Sequence, residues 1–370
     1  MKIVVLTSFP ESLINVRLPL LKTLVAAGHS VLACAPDAHP GVPVGMKQIG
    51  VRFHAMPLKR TGLNPLADFR FLRFFTRFLK AERPDLMFSY TIKSVIYGSL
   101  AAHRAGVPRL FALMTGLGYA FTEGNLKQRL VGRVARALYR RALPHNDAVF
   151  FQNPDDLQLF LSLGLLRDAH RAVRVNGSGV DLERFAFQPP PSGPPVFLLV
   201  ARLLRDKGIV EYAEAARLLK PRHPEARFQL VGPHDANPSA ISRQELGAWR
   251  SEGIIEYPGA TDDVRPFLAG AGVFVLPSYR EGTPMSVLEA MAVGRPIVTT
   301  DVPGCRETVV PGENGFLVPA RDATALASAM ERFIVEPDLI AKMGRRSREI
   351  AVEKFDVRKV NAVILKTMGL

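Results

Sequence analysis

The sequence predicts an α/β protein made of two doubly wound domains, each with a parallel sheet covered by helices on both faces. Short apolar runs alternate with longer stretches of helical periodicity along the chain. The runs are continuously apolar, as expected for strands that are buried on both faces of a sheet. The 370 residues exceed one typical domain, and a segment rich in Pro and Gly lies near the middle.

The predicted strands are apolar runs that each precede a turn or a helical stretch. They cover residues 2–8, 30–36, 84–90, 108–115 and 148–153 in the first half, and 196–202, 226–232, 254–259, 273–278 and 296–300 in the second. Helical patterns follow them, such as LPLLKTLVAAG at 18–28 and GIVEYAEAARLLK at 208–220. This alternation is typical of strand–helix–strand units.

The segment NGSGVDLERFAFQPPPSGPP, residues 176–195, indicates the boundary between the domains. We therefore expect a first domain at 1–178, a linker at 179–195 and a second domain at 196–352. A helix at 353–370 is expected to pack back on the first domain. Ligands of doubly wound sheets bind beyond the carboxyl ends of the strands. Two such domains would face each other across a cleft that holds the ligands.

Composition bounds the environment of the protein. The two cysteines, Cys34 and Cys305, are far apart in sequence and fit a reduced cytosolic protein. The opening MKIVVLTSFP predicts a first strand rather than a signal peptide. No apolar segment approaches the ~20 residues that span a bilayer. We expect a protein that is soluble or bound to the membrane surface.

The positive charge lies almost entirely in the first half. Residues 1–185 carry 25 basic and 12 acidic residues, whereas residues 186–370 carry 23 and 22. Such an imbalance suggests a polyanionic partner, either nucleic acid or an anionic membrane face. No recognisable nucleic-acid module accompanies the charge, which favours the membrane.

The stretch YREGTPMSVLEA, residues 279–290, follows a predicted strand. Thr283 is expected to cap a helix with Pro284 in its first position. The free amides and dipole of that helix end would bind an anion. Carboxylates such as Glu281 and Glu289 can each accept hydrogen bonds from a vicinal diol, so the pattern suggests a nucleotide-sugar site. The alternative is that both are solvated surface glutamates.

Two cations follow another strand of the same domain. In VFLLVARLLRDKG, Arg202 and Lys207 precede Gly208, where a helix begins. Cations at a strand end can clamp a diphosphate. The alternative is a pair of ordinary surface cations, but both features fall where the predicted fold binds its ligand.

The segments ARLLRDKG and EGTPMSVLEAMAVGRPIV together resemble the retaining GT-B glycosyltransferases of family 4, as does TTDVPGCRETVVPGENGFLVPARD at 299–322. The resemblance implies a GT-B fold. It also implies that Arg202 and Lys207 bind the donor diphosphate and that Glu281 and Glu289 bind the donor sugar and the ribose. Arg202, Lys207 and Glu281 would be the catalytic residues.

The same resemblance implies further contacts to the donor. Backbone amides near the phosphate or the sugar would come from Gly282, Thr283, Met285 and Ser286. Gly232 and Pro233, after the strand at 226–232, would border the nucleobase. The UDP-sugar would be the donor substrate, with no cofactor and no metal. Asp262 and Asp263 are then expected to cap a helix rather than to bind a metal.

In the first domain, residues 90–124 are similar to the subgroup that extends polyprenyl-diphosphate-linked sugars. It includes bacterial N-acetylgalactosaminyltransferases acting on undecaprenyl-diphosphate-linked N,N′-diacetylbacillosamine. The similarity rests on Lys93-Ser94 and on Gly116–Gly118. The acceptor-binding candidates are Asn15, Arg17, Lys93, Thr115 and Gly116. Lys93 either contacts the acceptor or caps the preceding strand, and Thr115 stands where many family members carry a His.

Two basic stretches suit a lipid-linked acceptor. In residues 69–80 and 127–143, arginines recur at helical spacing among Phe, Leu and Val. Such helices can lie on anionic lipid headgroups. The alternative is a helix that packs on the sheet and turns a basic face to solvent.

We therefore expect a retaining hexosyltransferase of the cytoplasm, peripheral on the inner face of the cytoplasmic membrane. It would move a galactose- or N-acetylgalactosamine-type unit from a UDP-sugar to a polyprenyl-diphosphate-linked sugar. The alternatives are an inverting transferase, a UDP-sugar 2-epimerase, or a non-catalytic assembly protein of the membrane surface. A dehydrogenase is disfavoured, because TSFPESL at 7–13 lacks the glycine fingerprint of dinucleotide-binding folds.

Overall fold

The chain forms two compact units. The computed structural model describes residues 1–58, 64–117, 121, 126–166, 168–235, 237 and 239–370, without the side chains of 126–128. One unit is Met1–Ser178 together with Val360–Leu370, and the other is Gly179–Lys359. Among the described residues, no helix is both long and apolar enough to cross a membrane.

Parallel strands and the helices between them make up the first unit. Its strands are β1 (Lys2–Thr7), β2 (Ser30–Ala35), β3 (Arg52–Ala55), β4 (Leu86–Tyr90), β5 (Arg109–Met114), β6 (Ala148–Phe151) and β7 (Ala172–Arg174). Its helices are α1 (Ser12–Asn15), α2 (Leu18–Ala26), α3 (Gly41–Gln48), α4 (Pro65–Glu82), α5 (Ile92–Ala105), α6 (Leu126–Ala142) and α7 (Pro154–Ser162).

The first sheet is buried on both faces. Its strand order is β3-β2-β1-β4-β5-β6-β7, and every pair is parallel. In β1, Ile3 and Val5 belong to the core that also contains α2 and α3. Val4 and Leu6 belong to the core that contains α4 and α5. Two-sided burial explains why these strands are continuously apolar in the sequence.

The second unit repeats this plan. Its strands are β8 (Val196–Val200), β9 (Arg227–Val231), β10 (Glu256–Gly259), β11 (Val273–Leu276), β12 (Ile297–Thr300) and β13 (Gly315–Val318). Its helices are α8 (Ile209–Leu219), α9 (Arg243–Ser251), α10 (Arg265–Gly270), α11 (Met285–Val293), α12 (Ala323–Val335) and α13 (Asp338–Lys354), after which comes α14 (Val357–Met368). The parallel sheet has the order β10-β9-β8-β11-β12-β13.

In each sheet the strand order reverses once. The reversal lies between β1 and β4 in the first unit and between β8 and β11 in the second. At such a point the loops after the two strands leave in opposite directions and open a crevice for ligands. The segments that follow β8 and β11 are those in which the sequence placed the donor site.

The prediction of two doubly wound α/β domains is confirmed, and each predicted strand is present. The strands β3, β7 and β13 were not predicted. β3 and β7 form the edges of the first sheet, and their sequences RFHA and AVR contain no apolar run. β13 is the four-residue edge strand GFLV of the second sheet. β3 and β7 therefore lack the continuous apolar pattern of a central strand, whereas β13 is apolar but only four residues long.

The segment 179–195 is not the separate linker that its Pro and Gly content suggested. It belongs to the second unit, where Val180, Leu182 and Phe185 are buried in the core. The backbone N of Gln188 also donates to the carbonyl of Val293 at 3.0 Å. The apolar side chains between the turns bury this segment against the second sheet's helices.

The predicted helix over 353–370 begins later than expected. α13 continues to Lys354, and Asp356 then forms a bridge with Val180 before α14 begins at Val357. The α14 residues Val360, Ile364 and Met368 are buried in a core cluster of the first unit. Their i, i+4, i+8 spacing places them on one face of the helix.

Candidate active site

The loop after β8 carries the two predicted cations. A short 3-10 turn, Arg205–Lys207, ends at Gly208, which has φ +70°. A Cβ at Gly208 would lie 2.0 Å from the carbonyl O of Pro277, so only glycine fits here. The close approach presses this loop against the segment that follows β11.

Lys207 and Glu281 form an ion pair at that contact. The Nζ of Lys207 donates to Oε1 of Glu281, and the Oγ of Ser278 donates to the same oxygen at 2.7 Å. The two charged side chains are 20% and 14% exposed. Partial burial strengthens the pair and fixes both groups at the switch point of the second sheet.

Arg202 is held by a second carboxylate. Its Nη1 donates to Oδ2 of Asp235 at 2.6 Å, and its side chain is 39% exposed. Asp235 lies in the loop after β9 that begins with Gly232 and Pro233. A Cβ on Gly232 would lie 1.8 Å from the carbonyl O of Ala201. The predicted nucleobase loop therefore packs directly on the Arg202 loop.

Helix α11 starts one residue later than predicted. Pro284 occupies the N-cap position with φ −72° and ψ 117°, and no side chain caps the helix. Thr283 is not the cap, because its hydroxyl donates to the carbonyl of Gly282 at 3.0 Å. Proline has no side-chain acceptor, so the first amides, including those of Met285 and Ser286, keep the positive end of the helix available to an anion.

Glu289 lies in the second turn of α11 and is partly buried. Burial raises the pKa of its carboxyl to about 7, and the nearby positive charge of Arg184 opposes this rise. Among the described residues its carboxylate has no hydrogen-bond partner. It is therefore available to ligand hydroxyls.

A further layer of side chains supports the Glu281 loop. The hydroxyl of Tyr279 donates to Oε1 of Glu211 at 2.6 Å, and the Arg321 guanidinium lies 4.7 Å from the Tyr279 ring centroid. The backbone N of Tyr279 donates to the carbonyl of Asp206 at 2.9 Å. The segments after β8 and β11 are thus joined by backbone as well as side-chain contacts.

Asp262 and Asp263 do not cap α10 in the expected way. The N-cap position is Val264, and no side chain makes a capping hydrogen bond. The carboxylate of Asp263 instead accepts from the Arg265 backbone N at 3.0 Å and from its guanidinium at 2.7 and 2.8 Å. The described residues contain no group of three His, Cys, Asp or Glu side chains placed to hold a metal ion.

The five acceptor candidates lie in the first unit. Asn15 is exposed at the end of α1, and Thr115 and Gly116 follow β5. Arg17 precedes α2 and is only 2% exposed. Gly118, part of the Gly-Leu-Gly resemblance, lies outside the described residues.

Lys93 is paired with a carboxylate of its own unit, as Arg202 and Lys207 are in the second unit. Its Nζ donates to Oδ1 of Asp68 at 2.7 Å, and the two side chains are 13% and 10% exposed. The hydroxyl of Tyr97 donates to the other Asp68 oxygen at 3.1 Å. Asp68 lies in the first turn of α4, and no local pattern predicts its pairing with Lys93. The ion pair joins α4 to α5.

The basic helix α4 carries aromatic residues on both faces. Phe71, Phe75 and Leu79 are buried in the core, as an amphipathic helix requires. Leu66, Phe69 and Phe74 are 71%, 53% and 40% exposed, and they line a surface depression with Arg70, Arg73 and Arg77. In α6, Leu130 and Val134 are 61% and 47% exposed. We call the α4 residues Leu66, Phe69, Arg70, Arg73, Phe74 and Arg77 the arginine–phenylalanine surface.

The structure brings together most of the predicted donor residues within one unit. Lys207 contacts Glu281 directly, and the loops of Arg202 and Gly232 pack on each other. The partners Asp235, Ser278, Tyr279 and Glu211 were missed. Ser278 and Tyr279 stand within three residues of Glu281 and could have been suspected, whereas the pairing of Asp235 with Arg202 depends on strand order.

Comparisons with known proteins agree with this geometry. Residues 15–177 match the model of the glycosyl transferase 4-like domain, and residues 194–336 match that of the glycosyl transferases group 1. The N,N′-diacetylbacillosaminyl-diphospho-undecaprenol alpha-1,3-N-acetylgalactosaminyltransferase of Campylobacter jejuni is 28% identical, over 95% of this chain and 94% of that protein. The UDP-Gal:alpha-D-GlcNAc-diphosphoundecaprenol alpha-1,3-galactosyltransferase of Escherichia coli is 25% identical, over 84% and 81%.

A solved structure matches along its whole length. The Anabaena protein Alr3699/HepE, determined in complex with UDP and glucose, has a TM-score of 0.79 and 19% identity, covering 100% of this chain and 99% of that one. This likeness agrees with the GT-B fold expected from the sequence. The two family models cover one unit each and together span most of the chain, and the chain therefore belongs to the group 1 glycosyltransferases.

Proposed function

We propose that this glycosyltransferase moves a hexosyl unit, with retention, from a UDP-sugar to a polyprenyl-diphosphate-linked sugar in bacterial surface glycan assembly. The observation that carries the proposal is the Lys207–Glu281 pair, which sets a cation and a carboxylate side by side at the switch point of the second sheet. A nucleotide-sugar needs both, a cation for its diphosphate and an acceptor for its hydroxyls.

The donor diphosphate is the leaving group, and its charge grows as the glycosidic bond breaks. Arg202 and Lys207 meet it as cations, and the uncapped start of α11 adds backbone amides. Electrostatic stabilisation of this kind is usually the largest contribution to catalysis. Because these groups supply positive charge, we expect transfer to persist without a divalent cation, which turnover in a chelator would test.

Glu281 suits a hydrogen-bonding role better than a nucleophilic one. One carboxylate oxygen already accepts from Lys207 and Ser278, which lowers its nucleophilicity and leaves the other oxygen for donor-sugar hydroxyls. Glu289 has a carboxylate without partners among the described residues and suits the ribose diol. Retention would then follow from attack on the face of the leaving group, with the departing phosphate oxygen taking the acceptor's proton.

The acceptor is proposed from the relatives and from the charge of the first half of the chain. Two relatives are named for undecaprenyl-diphosphate-linked acceptors. Such an acceptor lies at a membrane, and the arginine–phenylalanine surface combines cations with exposed apolar side chains, as membrane-surface helices do. We propose that the protein works on the cytoplasmic face of the membrane, docked through this surface.

Nucleotide release tests the proposal directly. UDP would be measured from a panel of UDP-hexoses, with and without a polyprenyl-diphosphate-linked saccharide. We expect release that depends on the acceptor and on one donor, with the anomeric configuration of the donor kept in the product by NMR. An inverted product would contradict retention. Release of UDP and an epimerised free sugar without any acceptor would show that the protein is an epimerase rather than a transferase.

A further inference from the structure

Arg17 is a buried cation whose side chain has no hydrogen-bond partner among the described residues. It precedes α2, is 2% exposed, and holds its guanidinium carbon 5.1 Å from the centroid of the Tyr90 ring. Its Nε is fully enclosed with no acceptor. Among the described residues, no oxygen accepts a hydrogen bond from any nitrogen of this side chain. Burial lowers its pKa only to about 10, so the group is charged at neutral pH.

Two other arginines among the described residues, one buried and one partly buried, donate to backbone carbonyls. Arg295 is fully buried, and it donates to the carbonyls of Leu268, Gln188 and Pro189 at 2.9, 3.0 and 3.3 Å. Arg348 donates to the carbonyl of Ala292 at 2.8 Å and to that of Phe185 at 3.0 Å. Those two arginines bind segments of the second unit together. Arg17 makes no such contact, so holding the backbone together does not account for its burial.

Arg17 lies beside the switch point of the first sheet, where ligands of this fold bind. Tyr90 is the last residue of β4 and therefore lies at the switch point of the first sheet. Its hydroxyl hydrogen-bonds the Oγ of Ser12 at 2.9 Å. The next residue, Thr91, has φ +74° and starts α5 without a side-chain cap. Such strain in a β-branched residue is uncommon outside functional sites.

We propose that Arg17 anchors an oxyanion site in the first unit that takes a phosphate group of a substrate diphosphate. A guanidinium can give a phosphate two parallel hydrogen bonds, and the contact with the Tyr90 ring helps to hold the guanidinium in place. The anion would pair the buried charge that the free protein leaves unpaired. The inference rests on the proposed function only for the source of the phosphate, which is either the nucleotide-sugar or the polyprenyl diphosphate.

The test uses the full-length protein and its melting temperature with three probes: UDP, inorganic pyrophosphate and farnesyl diphosphate. Arg17→Met removes the charge and keeps much of the length. We expect this variant to melt no lower than the wild type without probe, because it loses an unpaired buried charge. We also expect it to lose the stabilisation by at least one probe. Arg17→Lys keeps the charge without the fork, and we expect at least about tenfold weaker binding of that probe.

Matched variants distinguish an Arg17 ligand site from a purely structural role and from binding at the donor site. Arg295→Met should melt lower and keep each probe's effect, because Arg295 holds backbone carbonyls. Lys207→Ala should lose the UDP effect if the donor site is correct. If Lys207→Ala keeps it while Arg17→Met loses a probe, the donor site is wrong and the Arg17 site stands.

The probe that Arg17→Met loses identifies the source of the phosphate. Loss of the farnesyl diphosphate effect alone assigns Arg17 to the acceptor, and loss of the UDP effect alone assigns it to the donor. An Arg17→Met variant that keeps every effect would overturn the proposal whatever its melting temperature, as would a wild-type protein that no probe stabilises. If Arg17→Met does not fold, unchanged affinities in Arg17→Lys would overturn it.

Discussion

The Nζ of Lys207 donates to Oε1 of Glu281 although the two residues follow different strands of the second sheet, β8 and β11. The strand order puts these strands side by side, so a cation and a carboxylate distant in sequence meet where a ligand of this fold binds. In the proposed donor site, the pair would hold the cation in place before the diphosphate binds. Preorganised charge of this kind needs little rearrangement during the reaction.

Lys207→Ala should abolish most transfer without unfolding the protein. We expect kcat/KM to fall by about 100- to 1000-fold, because one preorganised charge facing the leaving group is removed. Glu281 keeps its hydrogen bond from Ser278, so the circular dichroism spectrum should not change. Steady-state kinetics with a UDP-sugar measures the effect.

Arg205→Ala is the matched control for that variant. Arg205 stands two residues away and pairs with Glu245 on the surface, with its side chain 47% exposed. Exposed pairs contribute little, and we expect near-normal transfer. Normal turnover in Lys207→Ala, or equal losses in both variants, would remove Lys207 from the active site.

Donor affinity should rise with pH through neutrality. The carboxyl of Glu289 has its pKa raised to about 7 by burial, and the ionised form offers both oxygens as charged acceptors to a ribose diol. The diphosphate of a UDP-sugar carries no proton that titrates near neutrality. We therefore expect KM for the donor to fall between pH 6 and 8, and Glu289→Gln to give a flat profile with a higher KM. A steep profile in the variant would assign the titration to another group.

The raised pKa of Glu289 also determines how this group changes the free energy of unfolding with pH. The folded protein holds the Glu289 proton to higher pH than the unfolded chain, in which the carboxyl has an ordinary pKa of 4.5. Between these two values the folded state binds more protons, so this group makes the free energy of unfolding decrease as pH rises. Glu289→Gln should remove that contribution, which urea unfolding at pH 5 and pH 8 would show.

Two glycines with similar φ angles should be destabilised to different extents by substitution with alanine. Gly208 has φ +70° and a Cβ position 2.0 Å from the Pro277 carbonyl, whereas Gly253 has φ +73° and nothing within 4 Å. Gly253→Ala should cost about 1–2 kcal/mol, the strain of the left-handed conformation. Gly208→Ala should cost a further ~1–3 kcal/mol for the clash and should weaken UDP binding, because the Lys207 loop must move. Equal urea midpoints for the two variants would contradict the tight contact.

The arginine–phenylalanine surface should bind anionic vesicles. Each basic residue near such a surface contributes about 1 kcal/mol, so Arg70→Gln, Arg73→Gln and Arg77→Gln together should weaken binding on the order of 100-fold. The double variant of Phe69→Ser and Phe74→Ser should weaken it by loss of apolar contact. Sedimentation with phosphatidylglycerol vesicles measures both.

Leu218→Ser is the control for the vesicle experiment. Like Phe69 and Phe74, Leu218 is an exposed apolar residue, 47% accessible, but it lies in the second unit. It should leave binding unchanged. Added salt should weaken binding of the wild type more than that of the triple arginine variant, because charge attraction is screened. Equal vesicle binding by the wild type and both α4 variants would show that this surface does not dock the protein.

The sequence predicted the architecture well because buried strands leave a strong local signal. Most of the central strands carry continuous apolar runs, whereas β3 and β7 at the edges of the first sheet do not. The segment 179–195 was misinterpreted because its prolines and glycines dominate the pattern. Whether Val180 and Phe185 are buried depends on a surface formed by distant residues.

The residues of the candidate site likewise divide into those with a local sequence signal and those placed by tertiary structure. Lys207, Glu281 and Glu289 could be predicted because a strand end, a glycine turn and a helix start are local features of sequence. Their partners depend on strand order: Asp235 reaches Arg202 only because β9 lies beside β8. The pairing of Lys93 with Asp68 likewise joins two helices and has no local signature.

The contribution of α14 to the first unit has a consequence for biosynthesis. Val360, Ile364 and Met368 complete a core whose other members, such as Ile3 and Val5, are translated first. During translation the second unit emerges from the ribosome before that core can close. The nascent first unit therefore exposes apolar surface until α14 has been synthesised. We expect chaperones to bind it during that time.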